Sequence, residues 1–408
     1  MRILDVSPRV AYPPARGSAV RVWNLLARLA RRHEVVGFSQ ERTGRFWAPR
    51  ALHESSDGSY PELRFSHPLA AMVGEVPERA WTSAPLLAGA ALRLARPGRL
   101  DELLAWADVV LVEFPWQHAY CARRRPAGPL VYSSHNVEAA KFASYADVVG
   151  PRLTRRAWLS LVRRTEANAV ARSELVLAVS EEDRRSFVDR YGADPSRVVV
   201  VPNGADTALY RPTSPAERAA ARRQAGLPER ATVFFAGSDV PPNRVGAEWV
   251  RRLARRERRF TFLVVGPVGR PRVEGSLVQT GRVPDLGLYL RSSDLALVPI
   301  AHGGGTKIKL LESLAAGLPT VAFEEALGGT DIRAGEHLLV ADQTADALLG
   351  ALHTLVDDVD LAARLGAAGR RIVEERYDWE EIAVQLEAAL EALLPDAATQ
   401  PIPSAQAG

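Results

Sequence analysis

At 408 residues the chain is too long for one ordinary core and calls for two domains. Apolar content of 47% and charged content of 25% fit a globular protein, and a net charge of +4 is too small to argue for nucleic acid. The single Cys121 excludes an intramolecular disulfide, and no apolar run nears the roughly 20 residues that span a bilayer.

The chain opens on MRILDVS, which passes straight into a strand-like run without a signal-peptide core, so the expected compartment is the cytoplasm. A loop carrying Gly17 and Ser18 follows, then a helical pattern from Val20 to Arg32. HEVVGFS, ADVVLVEF, PLVYSSH and ELVLAVS read as further buried parallel strands. Residues 40 to 100 are less regular. His135, Asn136, Glu138 and Lys141 stand just past PLVYSS, where a histidine at a strand end points into a crevice or serves the local structure. A helical pattern covers Arg155 to Arg172, and the basic stretch at residues 152–164 could lie on anionic lipid at the inner face of a membrane.

The seam falls in VVVVPNGADTALYRPTSPAER, where Pro202, Asn203 and Gly204 form a turn and Pro212 to Pro215 a connector. The alternation then restarts with ATVFFAGS, FTFLVVGP, DLALVPI and PTVAF. Two βαβ series in succession predict two doubly wound α/β domains. The low-complexity tail, 395–408, reads as disordered.

The chain holds three lysines, Lys141, Lys307 and Lys309, and otherwise writes arginine. Two of them sit in HGGGTKIKLLE. Here DLALVPI feeds the loop Ala301 to Gly305, followed by an expected helix from Thr306 to Ala316 with Gly317 and Pro319 as stops. A strand's carboxyl end, bare glycine backbone and a helix start make a plausible phosphate cradle. Thr306 could cap the helix and Lys307 supply a point charge; a glycine turn with a solvated lysine is the plain alternative. No Walker A sequence and no GxGxxG after the first strand occur. Glu312, two turns beyond Gly305, should be substantially buried and need donors, either a ribose diol or Lys309 at i, i+3. Asp358 and Asp360 read as solvent-facing helix, and the histidines show no ligand spacing, so neither a metal nor another cofactor is expected.

Taken in order, VLAVSEEDRRSF, VVVVPNGADTALYRP, GGGTKIKLLESLAAGLPTVA, AGEHLLVAD and ERYDWEEI resemble the retaining nucleotide-sugar glycosyltransferases of glycosyltransferase family 4, from Met1 to about residue 392. The resemblance implies the GT-B fold: a Rossmann-like acceptor-side domain over 1–205, a nucleotide-sugar-binding domain over 206–377, and a helix at 378–394 packing back on the first domain. It implies a nucleoside-diphosphate-sugar donor and a hydroxyl acceptor. Glu312 would contact the ribose, Gly303, Gly304, Gly305 and Thr306 the sugar and phosphates, Val283 the base, His135 the donor sugar, and Gly17 the phosphates. Glu138 and Lys141 are acceptor-side candidates.

The chain departs from the family pattern at three places. Gly304 replaces the first Glu of E-x7-E, Ser238 and Asn243 replace the Arg and Lys that grip the diphosphate, and Lys307 is added. These departures resemble a subset of the family that combines GS…PN with GGGTK. The expectation is that the missing charge moves to Lys307, assisted by Arg244, while Lys309 is surface. Retention, given by the family, would proceed by front-face transfer without a metal. The competing readings are a non-catalytic nucleotide-sugar binder and a 2-epimerase of the same fold.

Overall fold

The computed structural model describes residues 1–14, 16–41, 51–55, 59–68, 72–73, 85–124, 126–145, 155–302 and 305–394. The first sheet contains β1 (Arg2–Ser7), β2 (Glu34–Gln40), β3 (Ala51–Ser55), β4 (Glu62–Ser66), β5 (Val109–Glu113), β6 (Leu130–Ser133), β7 (Leu175–Ala178) and β8 (Val198–Val200). Its strand order is β3-β4-β2-β1-β5-β6-β7-β8, parallel except for the β3 edge. The second contains β9 (Thr232–Ala236), β10 (Thr261–Val265), β11 (Arg272–Glu274), β12 (Leu277–Gly281), β13 (Leu295–Val298), β14 (Thr320–Ala322) and β15 (Leu339–Val340), in the order β11-β12-β10-β9-β13-β14-β15.

The expected pair of doubly wound domains is present. Its central strands are uninterrupted apolar runs because helices cover both faces: β5, β10 and β13 are buried at every position. The sequence expectation missed β3, β4, β11, β12 and β15, which are at or next to a sheet edge, and took β8 only as part of the seam. Edge and short strands bury little and so carry a weak apolar signal. The first helix runs Gly17–Leu29, three residues earlier at each end than expected. Asp358 is not mid-helix: it caps the helix Val359–Arg376 by accepting from Leu361 N–H at 2.8 Å, which breaks the run read as continuous.

The last helix, Trp379–Glu391, returns to the first domain. Trp379, Ile382, Ala383, Leu386 and Leu390 share a cluster with Ile3, Val22, Leu25, Leu26 and Leu29. The crossing is tight at Gly204, where an added methyl group would lie 2.6 Å from the Tyr377 carbonyl. Among the described residues no helix is long and apolar enough to cross a membrane. The expected tail disorder concerns residues outside those described.

Candidate functional site

In each sheet chain order reverses beside the first strand, between β1 and β5 and between β9 and β13. Loops beyond the carboxyl ends of such strands form the crevice of an open α/β sheet. Here the loops of the two sheets meet. Gly305 has a φ of +66°, and a methyl group there would lie 2.8 Å from Asn136 Oδ1 and 3.1 Å from the His135 carbonyl. Glycine is therefore required twice over, by backbone conformation and by the approach of the other domain. Gly17, at the start of the first helix, faces Ile308 at 3.6 Å from its would-be Cβ. Gly303 and Gly304 lie outside the described residues.

His135 is buried and tightly held. Its Nε2 bonds the Glu113 carboxylate, and its ring stacks on Phe114 at 4.0 Å between centroids and 8° between planes. Behind Glu113, burial holds Asp5 well above the usual carboxylate range, with the charges of Glu113 and Glu62 pushing the same way. A carboxylate on Nε2 favours the tautomer with its proton there, and in the neutral ring that tautomer has Nδ1 as an acceptor; among the described residues Nδ1 takes no hydrogen bond. Glu113 was not singled out from sequence, though a carboxylate closing an otherwise apolar strand was a usable signal.

Glu138 is buried and receives Lys141 Nζ at 3.3 Å and Asn136 Nδ2 at 3.4 Å, so the two acceptor-side candidates pair with each other. Their helix, Glu138–Tyr145, is held by Glu166, which accepts from the Glu138 and Ala139 N–H groups at 2.7 and 3.0 Å. Burial pushes Glu166 up to about 7.

In the second domain the helix begins at Ile308, not Thr306, and Lys307 occupies its N-cap position without a side-chain cap. Thr306 does not cap; its hydroxyl accepts from Asn203 Nδ2 of the seam at 2.7 Å. Asn203 Oδ1 in turn accepts from the buried Arg21 at 3.3 Å, and Arg21 also donates to the Val201 and Pro202 carbonyls. Asn203→Ala should cost about 0.5–1.5 kcal/mol, lowering Tm by roughly 2–4 °C per kcal/mol for a domain of this size. An unchanged melting curve would mean that this link is not kept in solution.

Lys307 Nζ donates to the carbonyl of Gly305 at 2.6 Å. Burial lowers it to about 8, and the carboxylates of Asp183 and Glu182 oppose that shift. Asp183 also accepts from the Val137 backbone, so this lysine ties the glycine loop to the segment that carries His135. Lys309 is not at the open surface. It is half-buried, and its Nζ donates to Asn243 Oδ1 at 2.7 Å. Asn243 Nδ2 donates to the Ser238 carbonyl and hydroxyl at 2.9 and 3.1 Å. Arg244 turns outward onto exposed Asp239 at 2.6 Å.

Glu312 lies on the same helix, half-buried. Burial pushes it up to about 7, against the pull of Lys309 and a hydrogen bond from the Tyr210 hydroxyl. Tyr210, from the connector, was missed because a tyrosine in a loop carries no local pattern. Val283, after β12, is half-buried beside Leu286 and Tyr289.

Residues 15–209 match the sequence model of Glycosyltransferase Family 4, and residues 230–358 that of Glycosyl transferases group 1. The D-inositol 3-phosphate glycosyltransferase of Rhodococcus jostii (strain RHA1) is 34% identical over 293 residues, covering 65% of this chain and 62% of that one. Its counterpart in Kineococcus radiotolerans is 31% identical over 278 residues, 60% and 61% of the two chains. The match therefore spans less than two thirds of these relatives' length. Among solved structures, sucrose-phosphate synthase from Thermosynechococcus elongatus aligns with a TM-score of 0.71 at 17% identity, covering 96% of this chain and 99% of that one. Anabaena HepE in complex with UDP-glucose aligns at 0.68 and 17%, covering 96% and 100%. At such identity the structural likeness speaks for the fold: two Rossmann-like domains in the GT-B arrangement.

Proposed function

We propose that the chain is a member of glycosyltransferase family 4 that moves a sugar from a nucleoside-diphosphate sugar to a hydroxyl acceptor with retention of configuration; the matches to the two glycosyltransferase sequence models and to the inositol-phosphate glycosyltransferases support this reading. The observation that carries this reading is the close approach of Gly305 to the Asn136 side chain and the His135 carbonyl, which brings together two strand-end segments from different domains. Glu312 then holds the ribose diol, Val283 lies by the base, and Gly17, Ser238, Asn243, Arg244 and the segment Gly303–Thr306 surround the phosphates and sugar. His135 accepts from a sugar hydroxyl at Nδ1.

In this reading the bond from the anomeric carbon to the phosphate oxygen breaks while the acceptor oxygen bonds the same face. The departing phosphate takes the acceptor's proton, and the protein contributes position and fixed charge. The absence of Glu at position 304 is compatible with such a mechanism, which needs no enzyme nucleophile. Metal independence is part of the proposal, and turnover that survives a chelator is its expected outcome.

The test is a thermal-shift panel of ADP, GDP, UDP and dTDP sugars, UDP-glucose among them because HepE binds it. A true donor at about 100 times its dissociation constant should stabilise by about 2.7 kcal/mol. Nucleoside-diphosphate release should then require an acceptor, with inositol phosphate included on the strength of the relatives' name. Release without any acceptor would favour the epimerase reading, and binding without release the non-catalytic one.

A further inference from the structure

We propose that Lys309, not Lys307, is the cation that meets the diphosphate of the bound nucleotide. The proposal rests on the nucleotide-sugar reading above but is carried by separate geometry. Ser238 follows β9, and the loop before Lys309 follows β13, so the chain Lys309–Asn243–Ser238 joins the two loops that flank the second sheet's reversal point. A ligand in that crevice lies against this chain of groups.

Among the described residues no carboxylate forms an ion pair with the Lys309 ammonium, and Glu312 acts on it only as a nearby charge. Its one hydrogen bond there goes to a neutral amide. An ammonium has three N–H donors, and a partly buried one needs anionic or multiple partners. Burial and the neighbouring Lys307 lower Lys309 to about 8, against the charge of Glu312. Asn243 is itself buried and fixed by Ser238, so the ammonium is aimed before any ligand arrives. Lys307 differs: a carbonyl of its own loop accepts its hydrogen bond, and two carboxylates, Asp183 and Glu182, supply its counter-charge. It is a positioning residue for the loop.

The composition makes the test direct. With three lysines in the chain, protein labelled with 13C at the lysine ε-carbons gives three side-chain resonances, assigned by Lys141→Met, Lys307→Met and Lys309→Met. Titration with inorganic pyrophosphate, and separately with the nucleoside diphosphates, should move the resonance missing from Lys309→Met and raise its titration midpoint, with smaller changes at Lys307. Turnover should fall about 10²–10³-fold in Lys309→Met, with partial recovery in Lys309→Arg. Should Lys309→Met fail to fold, the wild-type titration still decides, because the other two variants assign its signal by elimination. Movement of the Lys307 signal alone, or of neither while the anion binds, overturns the proposal. A pyrophosphate response at Lys309 without binding of any nucleoside diphosphate keeps the cation assignment and overturns the donor reading. Failure to bind any diphosphate overturns both.

Discussion

His135→Ala should lower turnover on the order of 10²-fold while changing donor affinity by much less. The histidine belongs to the first domain, whereas the groups assigned to the nucleotide, Gly17 apart, belong to the second. Its contribution is therefore made when both domains close on the sugar. Three constraints already hold the ring: the Glu113 carboxylate on Nε2, the face of Phe114, and the fixed backbone of Ser134 to Val137. A ring held this firmly loses little entropy on engaging a hydroxyl, so its removal should appear in kcat. Glu113→Gln provides the companion measurement. An amide can donate to Nε2 and so reverse the tautomer, which removes the Nδ1 acceptor without removing the ring. Its kcat should fall part of the way, with the fold intact by circular dichroism. Wild-type turnover in His135→Ala would return this residue to a structural role.

Glu312→Gln should weaken donor binding by about 1.5–3 kcal/mol, roughly 10- to 150-fold, through loss of a charged hydrogen bond. The pH dependence sharpens the test. Burial raises this carboxyl from its ordinary 4.5 to about 7, while Lys309 and Tyr210 pull the other way. The folded value lies above the unfolded one, so the group's contribution to stability is fully present below about pH 4.5. That contribution is lost as pH rises through about 7, where a buried charge must be carried. Ribose hydroxyls favour the carboxylate form, so wild-type donor affinity should rise between about pH 6 and 8 with release of a proton on binding below pH 7. The Gln variant should show no such limb, and without ligand it should be at least as stable as wild type above pH 7. Calorimetry across that range reads both quantities. Equal donor affinity in the two proteins would remove Glu312 from the nucleotide site.

The sequence by itself determined the class of fold and pointed to the neighbourhood of the candidate site, because both are written in local patterns. Uninterrupted apolar strands such as VVLVE and TFLVV report burial on both faces, and their alternation with amphipathic helices restricts the topology to parallel, doubly wound sheets. The glycines of HGGGTK and the histidine after PLVYSS mark strand ends, where such sheets bind ligands. Which side chains meet was decided only by the tertiary structure. The partnership of His135 with Glu113, of Thr306 with Asn203, and of Glu312 with Tyr210 each joins residues far apart in the chain. The two lysines show the reason most clearly. The sequence expectation put the helix start at Thr306 and Lys309 at the surface, but the helix starts at Ile308, which leaves Lys307 in the loop and Lys309 in the first turn. Side chains of a helix tilt toward its N-terminus, so a lysine in the first turn reaches back over the helix start, here to Asn243. A difference of two residues in where one helix starts, which no local pattern marked, decides what Lys309 touches.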